Sequence, residues 1–447
     1  MVYSLFALAS SFRSRSSLGL SATLALAACS FGLVACGGGD EPSSEPESIE
    51  VAKSALQRDT SPQVSATALI AYAKSADALT ADLHRAIAAE SATNNIFISP
   101  YSISTAFSML YGGALGATKA EIAKVFHFTV ADSELHATAN KVALDLEARA
   151  KKGGQGSDGK GFRVAVGNSF WGQKTMTWKT PYLDLLATEY GAGINLVDFM
   201  GESEKSRLAI NAWTSAQTEN RINDLLIEGA ITPNTRSVLV NTIYFNAAWA
   251  NPTESSTVDF GAVGAKSSIP AISVSGTFRR STTTDAEAVA IPYEGNDVEL
   301  VAVLPKADIA SYEASLDGPK LDALFAGFAA KDVALSLPKL TIKGDSVSLK
   351  STLNTLGLKT TFTDAADLTG ITDGGMFVGD VIHQTFLKLD EKGTEAAGAT
   401  AIANTGKGAP SELEKFEVNR PFLVFLRDIG TGAILFEGRI VAPSYAP

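Results

Sequence analysis

Few side chains in this 447-residue sequence could carry out chemistry on their own. It holds four histidines, His84, His127, His136 and His383, and two cysteines, Cys29 and Cys36. Nucleophilic or acid–base catalysis needs a reactive group with a partner positioned beside it. No G-x-S-x-G elbow, H-E-x-x-H helix, Walker loop or G-x-G-x-x-G turn supplies one. His84 falls within a long helical pattern and reads as a surface residue, while His127 and His136 flank a helix end as ordinary polar positions. Both cysteines precede residue 37, so the body has no thiolate for zinc, redox or acyl transfer. Carboxylate pairs occur, but nothing marks one out. The expectation is a protein that is not an enzyme, with no cofactor and no metal.

The chain offers instead a segment suited to being acted upon. It runs through Glu391, Lys392, Gly393, Thr394, Glu395, Ala396, Ala397, Gly398, Ala399 and Thr400. From Ala396 to Gly406 there is no charge, no proline and no bulky residue except Ile402. Exposed loops carry turn formers and charge, and buried strands carry Val, Ile and aromatics. This segment does neither, which predicts a loop in one state and a strand in another. As a strand, it would turn Thr394, Ala396, Gly398 and Thr400, all small, to one face. Glu395 would stay on the opposite, solvated side.

Composition sets the frame for that segment. A 45% hydrophobic and 19% charged content is that of a globular protein with a large core. The net charge of −11 argues against a nucleic-acid binder, and the scattered Lys and Arg give no polyanion site. Arg13 and Arg15 precede an apolar stretch, Leu18 to Ala28, in the manner of an export signal. Leu33-Val34-Ala35-Cys36 resembles a bacterial lipobox, with Cys36 as the lipidated residue and Cys29, after Leu26-Ala27-Ala28, as the alternative. A secretory signal cut near Ala28 is the plainer reading. The organisation expected is a lipoprotein signal peptide over 1–36 (lipobox 33–36), a flexible Gly/Ser/Pro/Glu tether over 37–66, and one folded domain over 67–447. Its expected location is the bacterial cell envelope, by a lipid anchor at the outer membrane or cell surface, or outside the cell.

Within the body, Leu69, Ala73, Ala76, Leu79, Leu83 and Ile87 recur at helical spacing and predict an amphipathic helix over 67–92. Further helices are predicted over 102–111, just after Pro100, and over 120–126. Lys151 to Gly161 holds five glycines but leads into the strand-like Phe162-Arg163-Val164-Ala165-Val166. A phosphate cradle would need a helix there, so this reads as a plain surface loop. Strands are expected over 236–245, 297–304, 332–337, 422–427 and 434–441. Helical and strand runs without βαβ alternation predict an α+β fold with a large mixed sheet.

An ordered set of motifs then points to a family. Asn94-Asn95-Ile96-Phe97-Ile98-Ser99-Pro100-Tyr101-Ser102-Ile103-Ser104, Asn168-Ser169-Phe170-Trp171, Ile210-Asn211-Ala212-Trp213 and Leu239-Val240-Asn241-Thr242-Ile243-Tyr244-Phe245 appear in that order. Val418-Asn419-Arg420-Pro421-Phe422 closes the series. Together they resemble the serpins over roughly residues 69–447. The resemblance implies the serpin fold: a single domain with a large central sheet, smaller sheets, about nine helices and an exposed reactive-centre loop over about 391–415. It also implies a suicide-substrate inhibitor of serine endopeptidases. The protease attacks the loop, and the freed arm inserts as a new strand while the acyl-enzyme is trapped.

Carried over residue by residue, residues 391–400 become the loop hinge. Ser99, Ser102, Asn241 and His383 become a polar shutter beneath the opening of the sheet. Trp249 marks the breach where the loop enters. Counting from Glu391 puts the scissile bond at Lys407–Gly408, which suits a trypsin-like partner. Ala403, Asn404 or Thr405 would suit an elastase- or subtilisin-like one, and a cysteine protease is also open. Counting back from Asn419 points nearer Pro410. Residues 252–278 depart from the family pattern, with Ala271-Ile272 where a Met-Met pair is usual. Partners are therefore serine proteases and, through the anchor only, a membrane, with no nucleic acid and a monomeric state. The competing reading is a non-inhibitory serpin-fold envelope binding lipoprotein.

Overall fold

Among the described residues, helices and two sheets account for most of the chain; the computed structural model describes 49–152, 156–159, 161–262, 265–344, 346–394 and 413–446. The chain divides into two units, residues 1–48 and 49–447, and all described residues lie in the second. Its helices are α1 (Ala66–Ala88), α2 (Pro100–Tyr111), α3 (Gly116–Val125), α4 (Asp132–Lys151), α5 (Thr180–Tyr190), α6 (Ser203–Gln217), α7 (Ile309–Ala314), α8 (Gly318–Ala326) and α9 (Lys350–Leu356). The three predicted helices are present, each with shifted ends.

The main sheet runs β1 (Glu50–Ala52), β4 (Ile194–Val197), β3 (Arg163–Gln173), β5 (Ser237–Ala248), β14 (Gly393–Thr394), β13 (Asp380–Asp390) and β11 (Leu340–Lys343), with β12 (Val347–Ser348) also on β13. The other strands follow one path: β15 (Glu414–Glu417), β10 (Ala329–Pro338), β7 (Ala265–Thr282), β8 (Ala286–Pro292), β9 (Val298–Pro305), β16 (Phe422–Asp428), β17 (Ile434–Ile440) and β2 (Ile96–Ile98), with β6 (Glu254–Ala262) on β7. This is the predicted α+β architecture with large mixed sheets.

The centre of the main sheet explains itself from sequence. β5 is buried along its length except at its last residue, as expected for a strand covered on both faces. It pairs in parallel with β13 from Val238↔Asp380 to Ile243↔Thr385. Beyond that point the two strands diverge, and β14 lies between them, antiparallel to both. Behind this seam sits α2, buried at every position but Thr105. Pro100 opens it, and the Ser99 side chain caps it by accepting from the Ser102 amide.

Three expectations need correction. His84 is fully buried rather than on the surface. Its imidazole lies 2.8 Å from Glu437 and 2.9 Å from Glu313, and Arg439 reaches Glu313 at 3.2 Å. Those partners are distant in sequence, so the helical pattern alone hides them. Part of the stretch read as a tether is a docked strap: β1 pairs with β4, Ser54 donates to Asp184, and Arg58 bonds Asn140 and Glu147. The glycine-rich stretch after α4 is not a plain surface loop, because Ser157 is buried within it.

Candidate functional site

The site is built where β5 and β13 part. Gly393 pairs with Asp390 on one side and Ala248 on the other, and Thr394 with Leu389 and Ala247. The first two residues of the β14 segment thus already occupy the position of a central strand. Gly393 has φ of +146°, and a Cβ there would meet the Ala247 carbonyl oxygen at 2.0 Å. Only glycine fits that backbone and that clearance.

Thr394 is 1% exposed. Its hydroxyl meets the Tyr293 hydroxyl at 2.6 Å, and its carbonyl accepts from the Ser157 hydroxyl at 2.7 Å. Burial pushes the Tyr293 phenol well above its ordinary value, so it stays protonated and available as donor or acceptor. Tyr293 in turn stacks on Trp249 with ring centroids 4.5 Å apart. The Trp249 indole N–H donates to the Asp390 carbonyl at 2.9 Å, and its amide donates to the Lys392 carbonyl. Trp249 therefore holds the turn that feeds the segment into the sheet.

At that turn, Lys339 pairs with Glu391 at 2.5 Å, and Thr253 donates to the Glu391 carbonyl. Burial opposes ionisation of Glu391, but the Lys339 ammonium holds its carboxyl below the usual range. Burial raises the neighbouring Asp390 carboxyl instead, despite the Lys392 amide that it accepts. Tyr293, Ser157, Asn246 and Lys339 carry no motif of their own. Their signal lies only in three-dimensional convergence.

The second part of the site lies under the seam. His383, Asn241 and Asn168 stand in one register row across β13, β5 and β3. His383 Nε2 accepts from the Ser99 amide at 3.0 Å, and the Ser102 hydroxyl donates to Asn168 at 2.7 Å. Burial drives the His383 pKa down to about 4, partly offset by the Asn241 backbone. The imidazole is therefore neutral, as an acceptor at Nε2 requires. Asn241 shares the row, but its buried side-chain amide has no hydrogen-bond partner among the described residues. Asn168, a landmark rather than a site residue in the sequence reading, is the polar partner that Ser102 uses.

Gly393 and Thr394 thus enter the main sheet, and the next described strand, β15, begins at Glu414 in the other sheet. The family described as Serpin (serine protease inhibitor) matches residues 74–443. The chain belongs to the serpin family.

Among this serpin's relatives, sheep (Ovis aries) antithrombin-III is 33% identical over 365 residues, covering 78% of this chain and 77% of the relative. Iris from Ixodes ricinus is 33% identical over 357 residues, covering 77% and 92%. The native-state crystal structure of tengpin, a thermophilic serpin, superposes with a TM-score of 0.74 at 22% identity, covering 88% of this chain and all of tengpin, and speaks for the fold. The family places the chain among proteins with a protease-inhibitory or regulatory role and not among enzymes. Among the described residues there is no cluster able to hold a metal and no helix long and apolar enough to cross a membrane.

Several expected site residues lie outside the described residues: Lys407 and Gly408, hinge residues Glu395 to Thr400, and Cys29 and Cys36. The hinge residues that are described, Glu391 to Thr394, converge with Trp249. Ser99 and His383 meet directly, and Ser102 joins them through the Ser99 cap.

Proposed function

We propose that this serpin is a suicide-substrate inhibitor of serine endopeptidases. The observation that carries the reading is the pairing of Gly393 and Thr394 between β5 and β13. The insertion path is thereby already started. Cleavage beyond Thr394 would free an arm that continues down the seam, replacing the β5–β13 pairs from Val238↔Asp380 to Ile243↔Thr385 with two new ladders.

About a dozen inserted residues would add ladder bonds worth about 0.5–1.5 kcal/mol net each, a gain on the order of 10 kcal/mol. The arm would carry the attached protease roughly 40–50 Å, from a rise of about 3.3 Å per residue.

The finer proposals follow the sequence. The reactive bond is Lys407–Gly408, the target is trypsin-like, and the protein is a monomer anchored to a bacterial envelope through Cys36. The small residues of the segment, without proline or bulk, favour insertion over the non-inhibitory alternative.

The test is to incubate the chain freed of residues 1–36 with trypsin, a chymotrypsin-like enzyme and an elastase. An SDS-stable complex, with a released peptide beginning at Gly408, is expected. A complex cut elsewhere keeps the mechanism and moves the specificity. Clean cleavage with no complex overturns the inhibitory reading and leaves a serpin-fold binding protein.

A further inference from the structure

The stretch that follows α4 reaches over the end of the main sheet and touches the strand that has begun to enter it. Ser157 is 3% exposed. Its amide donates to Asn246 Oδ1 at 2.8 Å, and its hydroxyl donates to the Thr394 carbonyl at 2.7 Å. Asn246 lies on β5, the strand beside β14, and its amide nitrogen bonds the Tyr244 hydroxyl. Ser157 thus bridges β5 and the last described residue of β14.

The turn that presents Ser157 is tightly specified. A Cβ on Gly156 would meet the Gly161 carbonyl oxygen at 2.3 Å and Asn246 Oδ1 at 2.7 Å, so no larger residue fits. Gly159 sits at φ of +78° and donates to the Gly156 carbonyl, closing the turn. Asp158 pairs with Arg163 at 2.6 Å, and Arg163 also bonds the Gly161 carbonyl at 3.0 Å and pairs with Glu219 at 2.9 Å. The turn is anchored to β3 on one side and ends on the β14 backbone on the other.

We infer that Ser157 is a positioning residue: it clasps the Thr394 carbonyl and holds the hinge of the reactive-centre loop in the sheet before any protease arrives. The clasp acts on a backbone atom and leaves the identity of the hinge side chains open. It also leaves Thr394 where full insertion needs it. On the inhibitory reading, on which this consequence rests, insertion grows from an anchored first pair. Without the clasp, more encounters end as plain cleavage before the arm has entered.

Hydrogen exchange of the full-length protein in detergent, followed by mass spectrometry of the peptide containing Gly393 and Thr394, tests the clasp without a protease. Local opening sets exchange at such amides. Ser157→Ala and Gly156→Ala, which remove the hydroxyl and the turn respectively, are each expected to speed exchange there by about tenfold. Exchange in β16 and β17 should not change, and Ser157→Thr should restore the slow rate.

Unchanged exchange in both alanine variants overturns the inference, as does an acceleration that Ser157→Thr fails to reverse. The two readings fail separately. Faster exchange in a protein that never forms a protease complex leaves the clasp and removes the inhibitor. Normal exchange beside normal complex formation does the reverse.

Discussion

Tyr293 and Thr394 join their hydroxyls at 2.6 Å inside the protein, linking the residue after β8 to β14, of which Gly393 and Thr394 are the described residues. The contact fixes which side of the incoming segment faces inward, because a one-residue slip would turn the Thr394 side chain to the other face. Thr394→Arg would bring a long charged side chain into that buried site, at a desolvation cost. The expected result is cleavage of the loop at the ordinary rate with complex yield lowered by at least about tenfold, read on SDS gels as cleaved chain against covalent complex.

Gly393 carries a second prediction. Since a Cβ would press on the Ala247 carbonyl oxygen, Gly393→Ala should drive β14 out of the sheet without touching the protein core. Exchange at residues 393–394 should rise at least about tenfold, while the denaturant midpoint shifts little. A midpoint that collapses together with exchange would mean that the two-residue strand holds up the whole sheet.

The acid limb of stability belongs in part to His383, under the β5–β13 seam. His383 is held neutral with a pKa of about 4, below its ordinary value of 6.5. A folded-state pKa that is depressed gives stability that is complete above the unfolded value and is lost as pH falls from about 6.5 toward about 4. His136, half-buried beside Tyr190 and near Lys119, is lowered to about 4 as well, mainly by desolvation. Each accounts for about 3 kcal/mol over that range. Thermal melts of His383→Gln should therefore show a weaker acid dependence than wild type between about pH 6.5 and about pH 4. A full acid limb in that variant would show that the neutral state of His383 contributes nothing.

His84 works in the opposite direction. Burial alone would lower its pKa, but the charges of Glu437 and Glu313 raise it to about 9. A raised folded-state value gives stability that is complete below about 6.5 and lost as pH rises through about 9. Together with Arg439 the group makes two cations facing two carboxylates, so the buried cluster is neutral only while His84 is protonated. His84→Ala should cost about 3–5 kcal/mol in urea unfolding at pH 6.5 and remove most of the alkaline decline. A loss of less than about 1 kcal/mol would show that the carboxylates find other partners.

The sequence revealed the parts of this molecule that periodicity and local motifs write down. The helical spacing of α1, the helix that follows Pro100, the β-rich run of β5 and the paired strands β16 and β17 were all legible as patterns. The 18-residue β7 was not, because Ala265 to Thr282 alternates small and polar residues with few aliphatic ones. Its register comes from β6, β10 and β8 on either side. The hinge and Trp249 could be singled out through family resemblance. Ser157, Tyr293 and Lys339 could not, since each lies 50 or more residues from the segment it contacts. His84 was misread for the same reason: an amphipathic pattern shows which face of a helix is apolar, but not that a polar residue on it has buried counter-charges waiting elsewhere in the chain.

The short β1 strand gives the main sheet an asymmetry. It covers Ile194 to Leu196, three of the four residues of β4, so the flank of the sheet is occupied by the protein's own amino-terminal segment. An unpaired strand at a flank is a template for foreign chains. A stray strand that would pair with β4 must first evict β1, along with the grips of Ser54 on Asp184 and Arg58 on Glu147. The inner strand β4 is thus shielded by a three-residue strand that the side chains of its neighbouring segment pin in place.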